Sequence, residues 1–230
     1  MRVGVFTALL SQFPLDKVFE KLKALNISTV ELGTGNYPGD PHCNLSMLDN
    51  EAELVEFKKK LDDHGFSISA LSSHGNPLHP DPAIAKGFQE ISKKTVLLAE
   101  KLGVPVVIDF SGCPGDCETA KFPNWVTCPW PPEYGDVLNW QWDKVVEPYW
   151  KQHGKFAADH GVKVAIGSVA HPMTAEHYIA WIEVFNGAWL NRKYLRPGEA
   201  PAAEFYVPYK RGLVVRAYCN LHGLWQTTVE

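Results

Sequence analysis

The chain has 230 residues, of which 45% are hydrophobic, and a formal net charge of −4 at pH 7. This length allows one large domain or two small ones. The acidic balance and the absence of a clustered run of Lys and Arg argue against nucleic acid as a partner, because phosphate binding requires such a cluster. No apolar stretch approaches the about 18 residues of a membrane span, so we expect no membrane partner either.

The cysteine content and the N-terminus indicate the cellular compartment. Five cysteines are an odd number in a chain that is too long to need disulfides for stability, and reduced thiols in the cytoplasm are the expected state. The N-terminal MRVGVFTALL is only briefly apolar and lacks a cleavage site of small residues, so it predicts a first strand rather than a signal peptide. We therefore predict a cytoplasmic protein.

Residues 1–166 alternate short apolar runs with segments whose apolar residues recur at helical spacing. Glycines follow three of the helical segments at the position where helices end. Repeated βα units predict a parallel sheet with right-handed crossovers, here part of a TIM-type barrel with about five βα units. The predicted strands are 3–6, 29–32, 67–72, 105–109 and 162–166, the predicted helices are 15–25, 52–64, 82–102 and 140–160, and a loop is predicted at 111–138.

Polar residues follow several of the predicted strands, at the face where barrels place their active sites. The segments VELGTGNYPGDPHCN, SSHGNPLHPD and NWVTCPWPPEY are similar to the xylose-isomerase-like barrels, the sugar phosphate isomerases and epimerases. This resemblance covers about 1–166 and implies a sugar substrate and a Mn²⁺ or Mg²⁺ cofactor. It makes four residues candidates for lining a sugar pocket: His42, His74, Asn76 and His79.

The same resemblance also indicates that the barrel is incomplete. In that family, acidic and His ligands hold the metal at the ends of later strands, and the first is expected directly after the fifth strand. This chain has Gly167 at that place, and beyond it the sequence no longer resembles that family. The four candidates cannot replace the missing carboxylates by spacing alone.

After Gly167 the apolar residues change from helical spacing to alternation, which is typical of strands. We predict strands at 178–185, 204–207 and 213–218, with turns at Asn186-Gly187 and Pro197-Gly198. Short strands joined by such turns suit a small all-β sandwich. The expected domains are therefore 1–166 and 167–230, and no linker separates them.

Four side chains that bind metals are concentrated in this C-terminal part. His171 and His177 lie in HPMTAEH, and Cys219 and His222 form a Cys-x-x-His pair in CNLH. Three imidazoles and one thiolate are suitable ligands for iron, zinc or copper. The sequence therefore predicts a metal site.

The sequence around these residues resembles the iron-binding domain of the desulfoferrodoxin or superoxide reductase family, over about 162–225. The resemblance is carried by the segments GSVAHPMTAEHYIAWIEVFNG, YLRPGEAPAAEF and VVRAYCNLHGLW. The resemblance implies an immunoglobulin-like sandwich and a non-haem iron that cycles between Fe²⁺ and Fe³⁺. It also implies superoxide as substrate and an electron-donor protein as partner. Cys219 would be the axial thiolate, and His171, His177 and His222 would be equatorial ligands.

The family takes one further imidazole from an upstream Glu-Lys-His-x-Pro loop, which this sequence lacks. His153, in WKQHGK beside Lys151, lies close to the expected place and is a further candidate ligand. The alternative is that His153 and Lys151 lie on the surface of a helix. With three imidazoles and one thiolate, a closed tetrahedral Zn²⁺ site is the alternative to iron.

Three functions follow from this combination of motifs. The first is an iron-dependent superoxide reductase fused to an incomplete sugar isomerase-like barrel. The second is a sugar or sugar phosphate isomerase or epimerase with a divalent metal, and the third is a non-catalytic chimeric or metal-binding structural protein. An open parallel sheet leaves an exposed edge, so we also predict self-association.

Overall fold

The computed structural model describes residues 3–126, 131–167, 173, 175–176, 178–185, 187–199, 201–205, 207, 212–220 and 223–229. The chain divides into two compact units. The first unit contains 2–124 and 143–169, and the second contains 1, 125–142 and 170–230. A parallel sheet forms the first unit and an antiparallel sheet lies in the second.

The first unit is built on a parallel sheet in which the strands lie side by side in chain order, β1-β2-β3-β4-β5. Its strands are β1 (Gly4–Phe6), β2 (Thr29–Gly33), β3 (Ser67–Ser72), β4 (Val106–Phe110) and β5 (Lys163–Gly167). The predicted parallel sheet is confirmed, and each strand boundary lies within one residue of its predicted position. The order leaves β1 and β5 at the edges of the sheet in the described residues, and the predicted self-association stays a prediction.

Helices connect these strands, and their ends follow the local sequence. The helices are α1 (Leu15–Lys23), α2 (Glu51–His64), α3 (Pro82–Leu102), α4 (Glu133–Trp140) and α5 (Glu147–Asp159). Asp81 begins α3 by accepting a hydrogen bond from the backbone N–H of Ala83 at 2.8 Å, and Gly103 ends it with φ 71°. None of the helices in the described ranges is long and apolar enough to cross a membrane.

The structure corrects the predicted loop at 111–138, because α4 begins within it. This helix starts directly after Pro131-Pro132, and proline is tolerated there because the first amides of a helix have no partner within it. The predicted helix over 140–160 is confirmed, since residues 140–159 are helical throughout, with a π-helical stretch at Gln141–Val146 between α4 and α5. Pro148 lies in the first turn of α5 and cannot donate a backbone hydrogen bond.

The hydrophobic core of the first unit lies between one face of the sheet and the helices. Alternate residues of β2 point to this face, while the residues between them point to the other. Complete burial of a large aliphatic or aromatic side chain contributes about 1.5–3 kcal/mol. The fully buried members of this core include Val18, Phe19, Val30, Leu32, Leu71, Val96, Leu98 and Val107.

The second unit contains an antiparallel sheet with strand order β7-β6-β8-β9. Its strands are β6 (Ile179–Phe185), β7 (Leu190–Tyr194), β8 (Leu213–Cys219) and β9 (Gly223–Val229). The predicted strands at 178–185 and 213–218 are confirmed, whereas β7 and β9 were not predicted. The predicted strand at 204–207 is wrong for residues 204, 205 and 207, which pair with no strand, and residue 206 lies outside the described residues.

Two ion pairs that share the buried carboxylate of Glu183 join the three neighbouring strands β7, β6 and β8. Glu183 of β6 is 0% exposed and lies directly opposite Arg192 of β7 and Arg216 of β8. Its Oε2 accepts from Nε of Arg192 at 2.7 Å, and its Oε1 lies 3.5 Å from a terminal guanidinium nitrogen of Arg216. The guanidinium groups also lie over aromatic rings, Arg192 over Trp181 at 4.2 Å and Arg216 over Phe185 at 3.9 Å.

Candidate functional site

One candidate site lies at the carboxyl ends of β1 to β4, on the face of the sheet opposite the hydrophobic core. The His74 ring lies parallel to the Phe110 ring, with centroids 4.4 Å apart, and makes an edge contact with Phe6 at 5.6 Å. On the same face, the Ser72 hydroxyl donates to the carboxylate of Glu31. The strand register therefore groups an imidazole, a carboxylate and two aromatic walls.

The surroundings of His74 favour its neutral form. Burial lowers the pKa of the imidazole, and the nearby charge of Glu31 opposes that shift. Its Nε2 is buried without a hydrogen-bond partner in the described residues. Because an unpaired buried polar atom costs about 1–3 kcal/mol, a hydroxyl group that reaches this nitrogen would be stabilised.

The other three predicted sugar-binding residues have backbone partners within the chain. His42 Nε2 lies 2.8 Å from a backbone carbonyl oxygen. The Asn76 amide donates to the carbonyl oxygen of Cys113 at 2.9 Å and accepts from its N–H at 2.7 Å. His79 Nδ1 accepts from the N–H of Asp81 at 2.9 Å. These side chains hold loops in place, and their sugar-binding role stays a prediction.

Sequence reasoning missed a buried chain of polar groups in the first unit. The Asp109 carboxylate, 1% exposed, accepts from the hydroxyls of Ser73 at 3.2 Å and Ser92 at 2.7 Å, and from the N–H of Phe110 at 2.8 Å. Ser92 Oγ also lies 3.1 Å from Nε2 of His153. The available signal was an aspartate directly after a Val-Val-Ile run in a predicted buried strand.

His153 belongs to the buried face of α5, so its predicted position on a helix surface is wrong. It is 2% exposed, and it shares this face with Ala157, one helical turn further on. Its Nε2 already has the Ser92 hydroxyl as a partner. Lys151 is exposed and pairs with Glu147 at 2.7 Å. The role of His153 as a metal ligand stays a prediction.

Asp109 and His153 should give opposite pH dependences of stability. Burial raises the pKa of Asp109 to about 6 and lowers the pKa of His153 to about 4. Asp109 therefore stabilises the folded state less as pH rises from about 4 to 6, whereas His153 stabilises it more as pH rises from about 4 to 6.5. The two effects oppose each other in the native chain.

Replacing one of the two residues should therefore reveal how the other alone makes the free energy of unfolding depend on pH. We expect the free energy of unfolding of Asp109→Asn to rise by about 2–3 kcal/mol between pH 4 and 6.5, and that of His153→Gln to fall by a similar amount between pH 4 and 6. Urea denaturation followed by far-UV circular dichroism at several pH values measures both, with the double variant as control. Parallel pH profiles for the two single variants would contradict this assignment.

Cys219 is the one member of the predicted metal-ligand set in the second unit that the structure describes. It is the last residue of β8, is 2% exposed, and lies opposite Ile179 of β6 and Gly223 of β9. The other three predicted ligands, His171, His177 and His222, lie outside the described residues. Within the described residues, no group of three or more His, Cys, Asp or Glu could hold a metal ion.

The residue after Cys219 connects β8 to the segment that precedes β6. The Asn220 side chain donates to the carbonyl oxygen of Glu176 at 2.6 Å and accepts from the N–H of Tyr178 at 2.7 Å. The backbone N–H of Asn220 donates to the carbonyl oxygen of Tyr178 at 3.1 Å. The two sequence neighbours of His177 are thus bound to the sequence neighbour of Cys219.

Cys219 is a buried thiol at a strand end of the antiparallel sheet, and comparison with known proteins gives the family of this part of the chain. A desulfoferrodoxin family model, "Desulfoferrodoxin", matches residues 146–228. The "Superoxide reductase" of Pyrococcus abyssi is 35% identical over 83 residues, which cover 30% of this chain and 72% of that protein. Through its C-terminal part, the chain belongs to the desulfoferrodoxin and superoxide reductase family.

The N-terminal part is similar to different proteins. The "Uncharacterized protein YfiH" of Bacillus subtilis is 37% identical over 170 residues, which cover 72% of this chain and 54% of that protein. The crystal structure of a "Putative Xylose isomerase" from Rhodospirillum rubrum matches with a TM-score of 0.50 at 12% identity, over 76% of this chain and 58% of that one. The N-terminal part therefore has a TIM-barrel-like fold.

The coverage of these relatives limits what their names imply. The chain spans about half the length of the first curated relatives that it matches, 52% to 54%. The desulfoferrodoxin match begins at residue 146, so it includes α5, β5 and His153 of the first unit as well as residues 170–228 of the second unit.

Proposed function

We propose that the C-terminal part, 167–230, holds a non-haem iron centre, and that this centre reduces superoxide with an electron from a donor protein. The carrying observation is Cys219, buried at the end of β8 and bound through Asn220 to the residues that flank His177. The proposed ligands are Cys219, His171, His177 and His222. Bound iron would supply one electron to superoxide, which with two protons becomes hydrogen peroxide.

The chemistry of the donor set fits this cofactor. Imidazole and thiolate ligands suit iron as well as zinc, and the thiolate form of cysteine is the one that binds metals. Cys219 lies on a strand paired on both sides, with Ile179 and Gly223 opposite, so its backbone is held by two ladders.

We propose His171, His177 and His222 as the imidazole ligands of the centre and do not include His153. The His153 Nε2 lies 3.1 Å from the Ser92 hydroxyl, and the ring is 2% exposed. Three imidazoles and one thiolate could also close around zinc, which would give a structural site without redox chemistry. The identity of the metal therefore decides between a reductase and a structural metal protein.

The test is metal analysis of the full chain purified without oxygen, followed by visible spectroscopy after oxidation and by stopped-flow measurement of superoxide loss. A reductase should contain stoichiometric iron, show a thiolate-to-ferric charge-transfer band and consume superoxide when a chemical reductant is supplied. Stoichiometric zinc without such a band would support the structural alternative. A chain that binds neither metal would refute the proposed centre.

A second candidate function is binding of a sugar at the carboxyl ends of β1 to β4. The specific observation is His74: among the residues that the structure describes, its buried Nε2 has no hydrogen-bond partner, and its ring lies near Glu31 and contacts the rings of Phe6 and Phe110. A neutral imidazole and a carboxylate can exchange hydrogen bonds with sugar hydroxyls, and the aromatic rings provide flat apolar walls. The activity would be ketose isomerisation or epimerisation with added Mn²⁺ or Mg²⁺.

We expect His74→Gln to weaken any sugar binding by about tenfold, since it removes one buried hydrogen bond and the ring stack. Calorimetric titration of ketoses in the presence of Mn²⁺ measures the change. His79→Gln is the matched control, because its imidazole accepts a backbone hydrogen bond at the start of a helix. Absence of ketose binding to the native chain, or equal binding by both variants, would exclude this site.

A further inference from the structure

We infer that Asn220 is a positioning residue of the proposed metal centre: its side chain holds the segment around His177 against the strand end that carries Cys219. The inference rests on the proposed function, but the contacts that carry it are all between described residues. It assigns a role to a residue that is not itself a ligand. Residues that orient metal ligands commonly change metal affinity by about 10–100-fold when they are replaced.

The hydrogen bonds of Asn220 extend the pairing of β6 and β8 beyond the end of the ladder. The last registered pair is Ile179 with Cys219, and the register shifts between Ile179 and Trp181. Beyond that pair, the Asn220 amide bonds to the carbonyl oxygen of Glu176 at 2.6 Å and to the N–H of Tyr178 at 2.7 Å. The amide nitrogen and the amide oxygen of Asn220 are therefore both hydrogen-bonded, each to one sequence neighbour of His177.

The backbone of the β8–β9 connection does not by itself require asparagine at this position. Asparagine is favoured in hairpin turns mainly because it tolerates positive φ. The described non-glycine residues with positive φ are Asn26 and Asn36, so Asn220 is outside that region, whereas Gly223 has φ 78°. The side chain, rather than the backbone conformation, is what asparagine contributes here.

The amide also lies beside the sulfur of the proposed ligand. In the metal-free chain the Cys219 thiol donates to Oδ1 of Asn220 over 4.0 Å, and the N–H of Tyr178 donates to the same oxygen at 2.7 Å. An uncharged amide oxygen repels a metal-bound thiolate less than a carboxylate at the same place would. Asn220→Asp therefore adds a negative charge next to the sulfur and places a carboxylate oxygen against the carbonyl of Glu176.

The first experiment measures the hydrogen bonds without metal. Amide hydrogen exchange of the full-length metal-free chain is followed at Tyr178 in the native protein, in Asn220→Ala and in the control Asn191→Ala, whose side chain is on exposed β7. We expect Asn220→Ala to speed exchange at Tyr178 by about tenfold and Asn191→Ala to leave it unchanged. Equal rates in all three proteins would overturn the inference.

The second experiment uses the iron-loaded full chain. We expect Asn220→Ala to weaken Fe²⁺ binding by about 10–100-fold in a competition titration, and Asn220→Asp to lower the midpoint potential, because the added negative charge stabilises Fe³⁺. Unchanged affinity in Asn220→Ala, or an unchanged potential in Asn220→Asp, would overturn the positioning role. If the native chain binds no iron, the proposed function fails, and the exchange rates at Tyr178 still decide whether Asn220 holds this segment.

Discussion

Cys219→Ser should abolish the thiolate-to-ferric charge-transfer band of the oxidised chain and weaken iron binding by more than about 100-fold. Cys219 is the proposed sulfur ligand, and a serine hydroxyl stays protonated at neutral pH and is a harder donor than a thiolate. Loss of a direct ligand should exceed the about 10–100-fold effect of replacing a residue that only orients one. Visible spectroscopy and an iron-competition titration on the same preparations give both results.

Two other cysteines provide matched controls for this experiment. Cys117 is exposed and its sulfur lies 3.5 Å from the hydroxyl of Thr119, so Cys117→Ser tests the loss of a surface thiol. Cys43 is buried in the core of the first unit, where burial raises the pKa of its thiol to about 12, so Cys43→Ser tests the loss of a buried thiol. A band that survives in Cys219→Ser but disappears in either control would move the sulfur ligand to another residue.

Glu183→Leu should produce the largest loss of stability among single changes to the antiparallel sheet. The substitution leaves both Arg192 and Arg216 without the carboxylate that they contact. Removal of one partner of a buried ion pair is strongly destabilising, and we expect amide exchange in β6 and β8 to become about 100-fold faster. Because Glu183 is 0% exposed while the two arginines are 30% and 31% exposed, added salt should reduce this effect only in part.

The control for this prediction is Glu204→Leu, which removes an exposed carboxylate of the same unit. Hydrogen exchange measured by mass spectrometry on the full chain reports peptides from β6 and β8 directly. Exchange in these peptides should be unchanged in Glu204→Leu. Equal protection of β6 in the Glu183→Leu variant and the native chain would show that the aromatic contacts of the two arginines are sufficient.

The helices and strands that could be predicted from the sequence are those in which apolar residues recur at regular spacing. The helix at 82–102 was predicted correctly because apolar spacing, Asp81 and Gly103 all indicate the same ends. In contrast, β7 contains Leu-Asn-Arg-Lys-Tyr, all exposed, without apolar alternation. It is a strand because it pairs with β6, where Arg192 lies opposite Glu183. The predicted strand at 204–207 had strand-like residues but no partner for 204, 205 and 207.

The sequence by itself determined the metal-binding residue types, the family of the C-terminal part and the five βα strands, because motifs and apolar periods are local properties. Tertiary structure decided which groups meet. Asp109, Ser92 and His153 form one chain although Ser92 and His153 are 61 residues apart, and Asn220 bonds Glu176 across 44 residues. Such contacts depend on strand register and helix packing, and the identity of a side chain does not encode its partner over those distances.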